Sequence, residues 1–212
     1  MRALPCRLLW WGLLCLFLLS PGLAQSCDCP RGMEHLCRCN VLISQPVLQQ
    51  QTAYLERLLL AEFAEFLEAS PVAAVRLGKP GEMRLQGEEA QGFIDTESRE
   101  SENGLLIVVS PRLRRDEALM VLAHELGHAW QFSSRPDVEE IEAFLAEGFA
   151  EWVCFHLVRR AGLTEFAYRI RHNKDPLYGA AFRWFWQLEE QHGVGAVLSV
   201  MLNWVDRQGH RL

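Results

Sequence analysis

The chain has 212 residues, half of them hydrophobic, and a formal net charge of −6. A chain of that length buries one hydrophobic core and is expected to form one domain. Its acidic balance, with no lysine/arginine run interleaved with aromatics, excludes nucleic acid as an expected partner.

The N-terminus has the layout of an export leader. Arg2 and Arg7 precede the apolar run "LLWWGLLCLFLL", which Ser20-Pro21-Gly22 ends just before Ala24. A basic n-region, a short apolar stretch and small residues predict a signal peptide over residues 1–24, cleaved after Ala24, and hence a secreted or periplasmic protein. Membrane attachment through an uncleaved leader or a lipidated Cys27 is the alternative, although the apolar run is short for a span.

Residues 25–45 form a cysteine-rich segment, "CDCPRGMEHLCRC", carrying Cys27, Cys29, Cys37 and Cys39. An even number of cysteines in an exported chain predicts two disulfides. Bonds across the loop are favoured over strained pairing within each C-x-C, and the spacing leaves the connectivity open. A small zinc knot using His35 is the competing reading. Cys154, in an apolar helical stretch, is expected to be a buried, inert thiol.

The remaining residues, 46–212, read as one α+β domain without repeats. Pro46 opens a helix whose Leu55, Leu58, Leu59, Phe63, Phe66 and Leu67 recur at helical spacing until Pro71. "VAAVRL", "MRLQ", "GFIDT" and "GLLIVVS" are short strands separated by turn residues, predicting a small, mostly antiparallel sheet. Beyond Pro111 the chain is helical, over about 112–132, 137–160 and 178–192, with a last helix reaching about Val205. A helix, a small sheet and then a helical half is an α+β order.

The stretch "VLAHELGHAW" carries the chemistry. His124 and His128, four residues apart on a helix, present both imidazoles to one side, where one metal ion can take both. Glu125 falls beside that face, where its carboxylate can take a proton from water that a metal ion polarises. Val121, Leu122, Ala123, Leu126 and Ala129 make the rest of the helix apolar. Gly127, a poor helix former, is expected where another helix or the metal packs closely.

A catalytic zinc site needs a third protein ligand. The next helix offers Glu139, Glu140, Glu142, Glu147 and Glu151. Glu147 is preferred, because Phe144, Leu145, Ala146, Phe149, Ala150 and Trp152 make its setting apolar, and a carboxylate there needs a cation. Glu140, two turns earlier, is next. Glu151, one turn after Glu147, is placed to hydrogen-bond the far nitrogen of a ligand histidine, with a plain surface charge as the competing reading.

His124, Glu125, His128 and Glu147 together read H-E-x-x-H-x18-E, which resembles the gluzincin zinc peptidases, the clan of thermolysin and aminopeptidase N. The stretches "LLIVVSPRL", "LAHELGHAW", "VEE", "AEGFAEW" and "DPLYGAAFR" are similar to the peptidase domain of the plant LIM-domain, ubiquitin-activated peptidases and their bacterial relatives, over roughly residues 70 to 205. The resemblance implies a zincin fold, a strand such as 105–110 edging the cleft, one zinc ion per chain and hydrolysis of peptide bonds. No LIM module or ubiquitin-interacting segment occurs in the sequence, so ubiquitin-linked regulation is not expected. The segment between His128 and Glu147 is longer than in those relatives, which keeps Glu139 and Glu140 open as third ligands.

An oxyanion developing on the attacked carbonyl needs a donor besides the metal. Tyr178 and His172 are the candidates, against a packing role for the tyrosine and simple solvation for the histidine. Phe182, Trp184, Phe185 and Trp186 follow helical spacing and are expected in the core. His156, His192 and His210 lack partner spacing and are read as ordinary. The expected function is thus a secreted zinc peptidase acting on peptide or protein substrates, with Glu125 as general base. The alternatives are a catalytically silent or latent zincin-fold binding or assembly protein, and a disulfide-stabilised domain with a chance motif.

Overall fold

The computed structural model of the chain describes residues 42–207, except 68–70, 72–73, 80, 86–87, 97, 102–103 and 135–140. The expected leader, the four clustered cysteines, His35, Glu139, Glu140 and His210 therefore lie outside the described residues. The rest is an α+β fold: a helix, a small sheet region, then a helical C-terminal half.

Helix α1 spans Gln45–Glu62, with Pro46 in its first turn, where a missing N–H costs nothing. Leu48, Gln51, Thr52, Leu55 and Leu59 form its buried stripe. It stops before the expected Pro71. Phe63 leaves helical geometry, donates its N–H to the Leu59 carbonyl, and inserts its ring between Trp130 and Trp152, at centroid distances of 5.3 and 5.2 Å. Burial of that ring decides where the helix ends, and Phe66, one turn further on, is left 45% exposed.

Strands β1 (Ala74–Leu77), β2 (Arg84–Leu85), β3 (Glu88–Glu89), β4 (Gly92–Asp95) and β5 (Leu106–Val109) follow. β2 and β3 form a short antiparallel pair, while the other three make one sheet in the order β1-β5-β4. β4 runs antiparallel to β5, but β1 runs parallel to it, with Ala74 opposite Leu106 and Leu77 opposite Val109. The three-stranded sheet is mixed: among the described strands β2–β3 and β4–β5 pair antiparallel, as expected, while the β1–β5 pairing is parallel. The chain leaves β1, builds β2, β3 and β4, and only then re-enters beside β1, a crossover that strand composition does not encode. β5 is buried throughout: Ile107 and Val109 join the main core, while Leu106 and Val108 meet Met83 and Ala90 on the opposite face. That two-sided burial explains an uninterrupted apolar run in place of alternation. Along β1, Gln45 of α1 bonds the Val75 carbonyl and the Leu77 N–H, both at 2.9 Å, occupying an edge that would otherwise be open.

Helix α2 (Arg115–Ser134) is buried continuously from Ala118 to Gln131, so it is enclosed by the sheet on one side and helices on the other. Asp116 and Glu117 sit in its first turn, favourably placed against the helix dipole. Helix α3 (Ala143–Arg160) packs against α1, α2, α5 and α4 (Thr164–Arg171), a short helix beyond those expected from the sequence. Helix α5 (Tyr178–His192) begins where Asp175 accepts the N–H groups of Leu177 and Tyr178 at 2.8 and 2.9 Å, just before Pro176 would stop any preceding helix. Helix α6 (Val194–Arg207) follows Gly193, whose φ of 81° suits glycine. No helix among the described residues is long and apolar enough to cross a membrane.

Two helix crossings rest on glycine. A Cβ on Gly127 would lie 2.8 Å from the Ala150 Cα, so α2 and α3 meet backbone to backbone. A Cβ on Gly148 would lie 2.6 Å from the Ala181 Cβ, which sets α5 equally close against α3. The expectation of close packing at Gly127 finds its cause in α3. Cys154 is fully buried, its thiol directed at the Met120 carbonyl of α2 at 3.4 Å.

Candidate metal centre

The crossing at Gly127 brings the histidines of α2 onto the first turns of α3. His124 Nε2 and His128 Nε2 lie 3.1 Å apart, and Glu147 Oε2 stands 3.3 Å from the first and 3.4 Å from the second. These three donor atoms are positioned to hold one metal ion. His124 and His128 are 1% and 7% exposed, and the Glu147 side chain 14%. Glu147 Oε2 is buried without a hydrogen-bond partner in conventional geometry. A buried carboxylate oxygen that faces two ring nitrogens and has no hydrogen-bond partner among the described residues fits a cation at their centre.

The electrostatics agree with that reading. Burial alone would raise the Glu147 carboxyl, but the His128 and His124 imidazoles outweigh it and bring its pKa down to about 2. Burial disfavours the charged form of His128, yet the Glu147 carboxylate prevails and raises its pKa above the ordinary histidine value. Each partner thus favours the charged form of the other.

Glu125 is 3% exposed, and burial raises its carboxyl pKa above the ordinary value. It faces Gly92 of β4, where a Cβ would lie 3.1 Å from Glu125 Oε1 and 2.5 Å from Val121 Cγ1. The strand beside the carboxylate is therefore β4, which pairs on one side only among the described strands, and not the 105–110 segment. That segment is β5, held centrally because both its faces are apolar.

Glu151 is 1% exposed and lies behind the cluster, its Oε1 3.8 Å from His124 Nδ1. Neither of its oxygens has a hydrogen-bond partner among the described residues, and burial pushes its pKa up to about 7. It is a buried group facing the rear of His124, so the surface-charge reading does not hold. Tyr178, the first residue of α5, is 7% exposed with its ring centroid 6.3 Å from that of His124. His172 caps α4 in solvent, stacked on Tyr168 at 4.0 Å and bonded to its carbonyl. Glu142 is exposed at the start of α3.

Two of the four α5 aromatics, Phe182 and Phe185, are core residues as expected, and Trp186 is half-buried against the core. Trp184 is 39% exposed, set edge-on to Phe144, because the face of α5 that meets α3 is already filled by Ala181 and Phe185.

Sequence reasoning missed two polar groups. Gln131, three residues beyond His128 and so on its face, accepts at 2.8 Å from His128 Nδ1; the helical spacing was a usable signal. His156, read as ordinary, is 3% exposed and bridges Glu62 of α1 at 3.1 Å and Glu189 of α5 at 3.0 Å. Those partners are far apart in sequence, so no local pattern announced them. Compared with protein-family models, curated proteins and solved structures, the chain matches none.

Proposed function

We propose that the protein is a zinc peptidase of the gluzincin type with a zincin-like fold, exported to the cell exterior or periplasm. The observation that carries the reading is the triangle of His124 Nε2, His128 Nε2 and Glu147 Oε2, with sides of 3.1, 3.3 and 3.4 Å. Zinc bonded at about 2.0–2.1 Å in tetrahedral geometry requires donor–donor edges of about 3.3–3.4 Å, and two imidazoles with one carboxylate are a known catalytic donor set for it. Bound there, zinc supplies Lewis acidity to a peptide carbonyl and acidifies water.

The chain's own groups provide the rest. Glu125, whose basicity burial increases, accepts a proton from water as the oxygen attacks the carbonyl carbon, and returns it to the amine as the C–N bond breaks. β4, which among the described strands pairs with β5 alone, has Gly92 against Glu125 and suits an extended peptide added as a further strand. Tyr178, its ring 6.3 Å from that of His124, is the candidate donor to the developing oxyanion. Glu151 sits behind His124, where it can accept from Nδ1–H and turn Nε2 toward the metal.

The test is a peptide-library digest by the zinc-loaded protein beside Glu125→Gln and His124→Ala. Cleavage by the wild type, lost in Glu125→Gln with zinc still bound, supports the reading. The burial of His124 and Glu125 favours one second reading, a latent or silent zincin used for binding. One zinc per chain with no cleavage of any library member would select it, and no zinc at all would remove both.

A further inference from the structure

We propose that Gln131 is the positioning residue of the second histidine, locking His128 in the tautomer that offers Nε2 to the metal and tying it to the helix that carries Glu147. The proposal rests on the metal-centre reading above.

An amide facing an imidazole can act either way round, accepting from Nδ1–H through its oxygen or donating to a bare Nδ1 through its nitrogen. The far end of the Gln131 side chain removes the choice. Gln131 Nε2 lies 3.0 Å from the carbonyl oxygen of Ala146. A carbonyl only accepts, so the amide nitrogen must face Ala146 and the amide oxygen must face His128. That oxygen, 2.8 Å from Nδ1, in turn requires the ring proton on Nδ1. In the neutral ring Nε2 then keeps the lone pair that a metal would take, on the side where His124 Nε2 and Glu147 Oε2 lie 3.1 and 3.4 Å away.

The relay begins at Ala146, the residue immediately before Glu147. One side chain from α2 thus fixes the tautomer of a ligand on its own helix and holds the neighbour of the ligand on α3. Gln131 is 5% exposed, and beyond it lies an apolar cavity of about 140 Å³ lined by Trp130, Phe149, Leu198 and Met201. Ser134 also lines that cavity, and loss of the amide takes from His128 Nδ1–H the acceptor it has at 2.8 Å.

The variants are Gln131→Met, which keeps the volume but removes both bonds, and Gln131→Glu, which keeps an acceptor for Nδ1–H and loses the donor to Ala146. Two readouts apply: the ¹⁵N shifts of the His128 ring in metal-free protein, followed upward in pH until the ring has lost its second proton, and zinc affinity by competition with a chelator, with His124→Ala as the non-binding control. The expected result is an Nδ1–H tautomer in the wild type, a mixture of tautomers in Gln131→Met with zinc affinity lowered about 10–100-fold, and recovery of the tautomer and most of the affinity in Gln131→Glu. A wild-type ring protonated on Nε2, or a Gln131→Met variant that binds zinc as tightly as the wild type, overturns the proposal while leaving the metal centre standing. A wild type that binds no zinc removes the metal centre, and the tautomer then decides the role of Gln131 alone. Should Gln131→Met fail to fold, a mixed tautomer in Gln131→Glu overturns the proposal.

Discussion

Substituting Gly127 by alanine sets two effects of known size against each other. Alanine in a helix interior is favoured over glycine by about 1 kcal/mol. At Gly127, however, the new Cβ would stand 2.8 Å from the Ala150 Cα, 3.2 Å from the Ala150 oxygen and 3.3 Å from its Cβ. Ordinary contacts at such positions lie near 3.5–4 Å. Two of these atoms are backbone, so no rotamer change relieves the overlap, and α2 must shift from α3 by roughly 0.5–1 Å. Overpacking of this kind costs about 1–3 kcal/mol. The net expectation is destabilisation of up to about 2 kcal/mol, or roughly 4–8 °C in a domain of this size. The site amplifies the effect, because Ala150 is one turn from Glu147 while Gly127 adjoins His128. A shift of that size spreads donor edges of 3.3 and 3.4 Å toward 4 Å, so zinc affinity should fall at least 10-fold. Urea unfolding and chelator competition measure the two quantities. A Gly127→Ala protein that is more stable by about 1 kcal/mol and binds zinc as tightly as the wild type would refute the close crossing and its role in the site.

Other expectations follow from the buried polar groups. His156→Leu removes the bridge between Glu62 and Glu189, whose side chains are 17% and 20% exposed, and should cost about 2–3 kcal/mol in urea unfolding, since Arg160 still pairs with Glu62; zinc stoichiometry of the folded fraction should not change. In the metal-free protein Glu151, raised to about 7 from 4.5, binds its proton more tightly folded than unfolded. Its contribution therefore favours folding at low pH and is lost as pH rises from about 4.5 to about 7. Glu151→Gln should flatten that part of the melting-temperature profile, and an identical profile in both proteins would count against burial of the carboxyl. Chelating the metal should lower the melting temperature of the wild type by an amount that grows with the logarithm of the zinc concentration it replaces, with no effect on His124→Ala.

Much of the centre was legible because its parts are periodic. Two histidines one turn apart, a glutamate between them and an apolar remainder describe one helix face whatever surrounds it. The preference for Glu147 came from its own apolar neighbours, and in the fold that carboxylate meets both imidazoles. Gln131 obeyed the same spacing and was overlooked. The termination of α1 at Phe63, the parallel placement of β1 beside β5, and the choice of β4 as the strand beside Glu125 were not legible, since each is a choice among distant partners of similar composition.

The amino-acid sequence by itself determined the broad order of elements and the donor chemistry: a helix, a small sheet region and a helical half, with α2 offering two imidazoles and a carboxylate to one side. Only the tertiary structure decided which surfaces meet. The contact of Gly127 with Ala150 brings Glu147 to the histidines, Glu151 behind His124 and Ala146 to Gln131, while His156 finds its carboxylates on α1 and α5. The physical reason is range. Helical periodicity and capping act within a few residues, whereas the desolvation and pairing that place a buried charge depend on elements that the chain brings together only when the core closes.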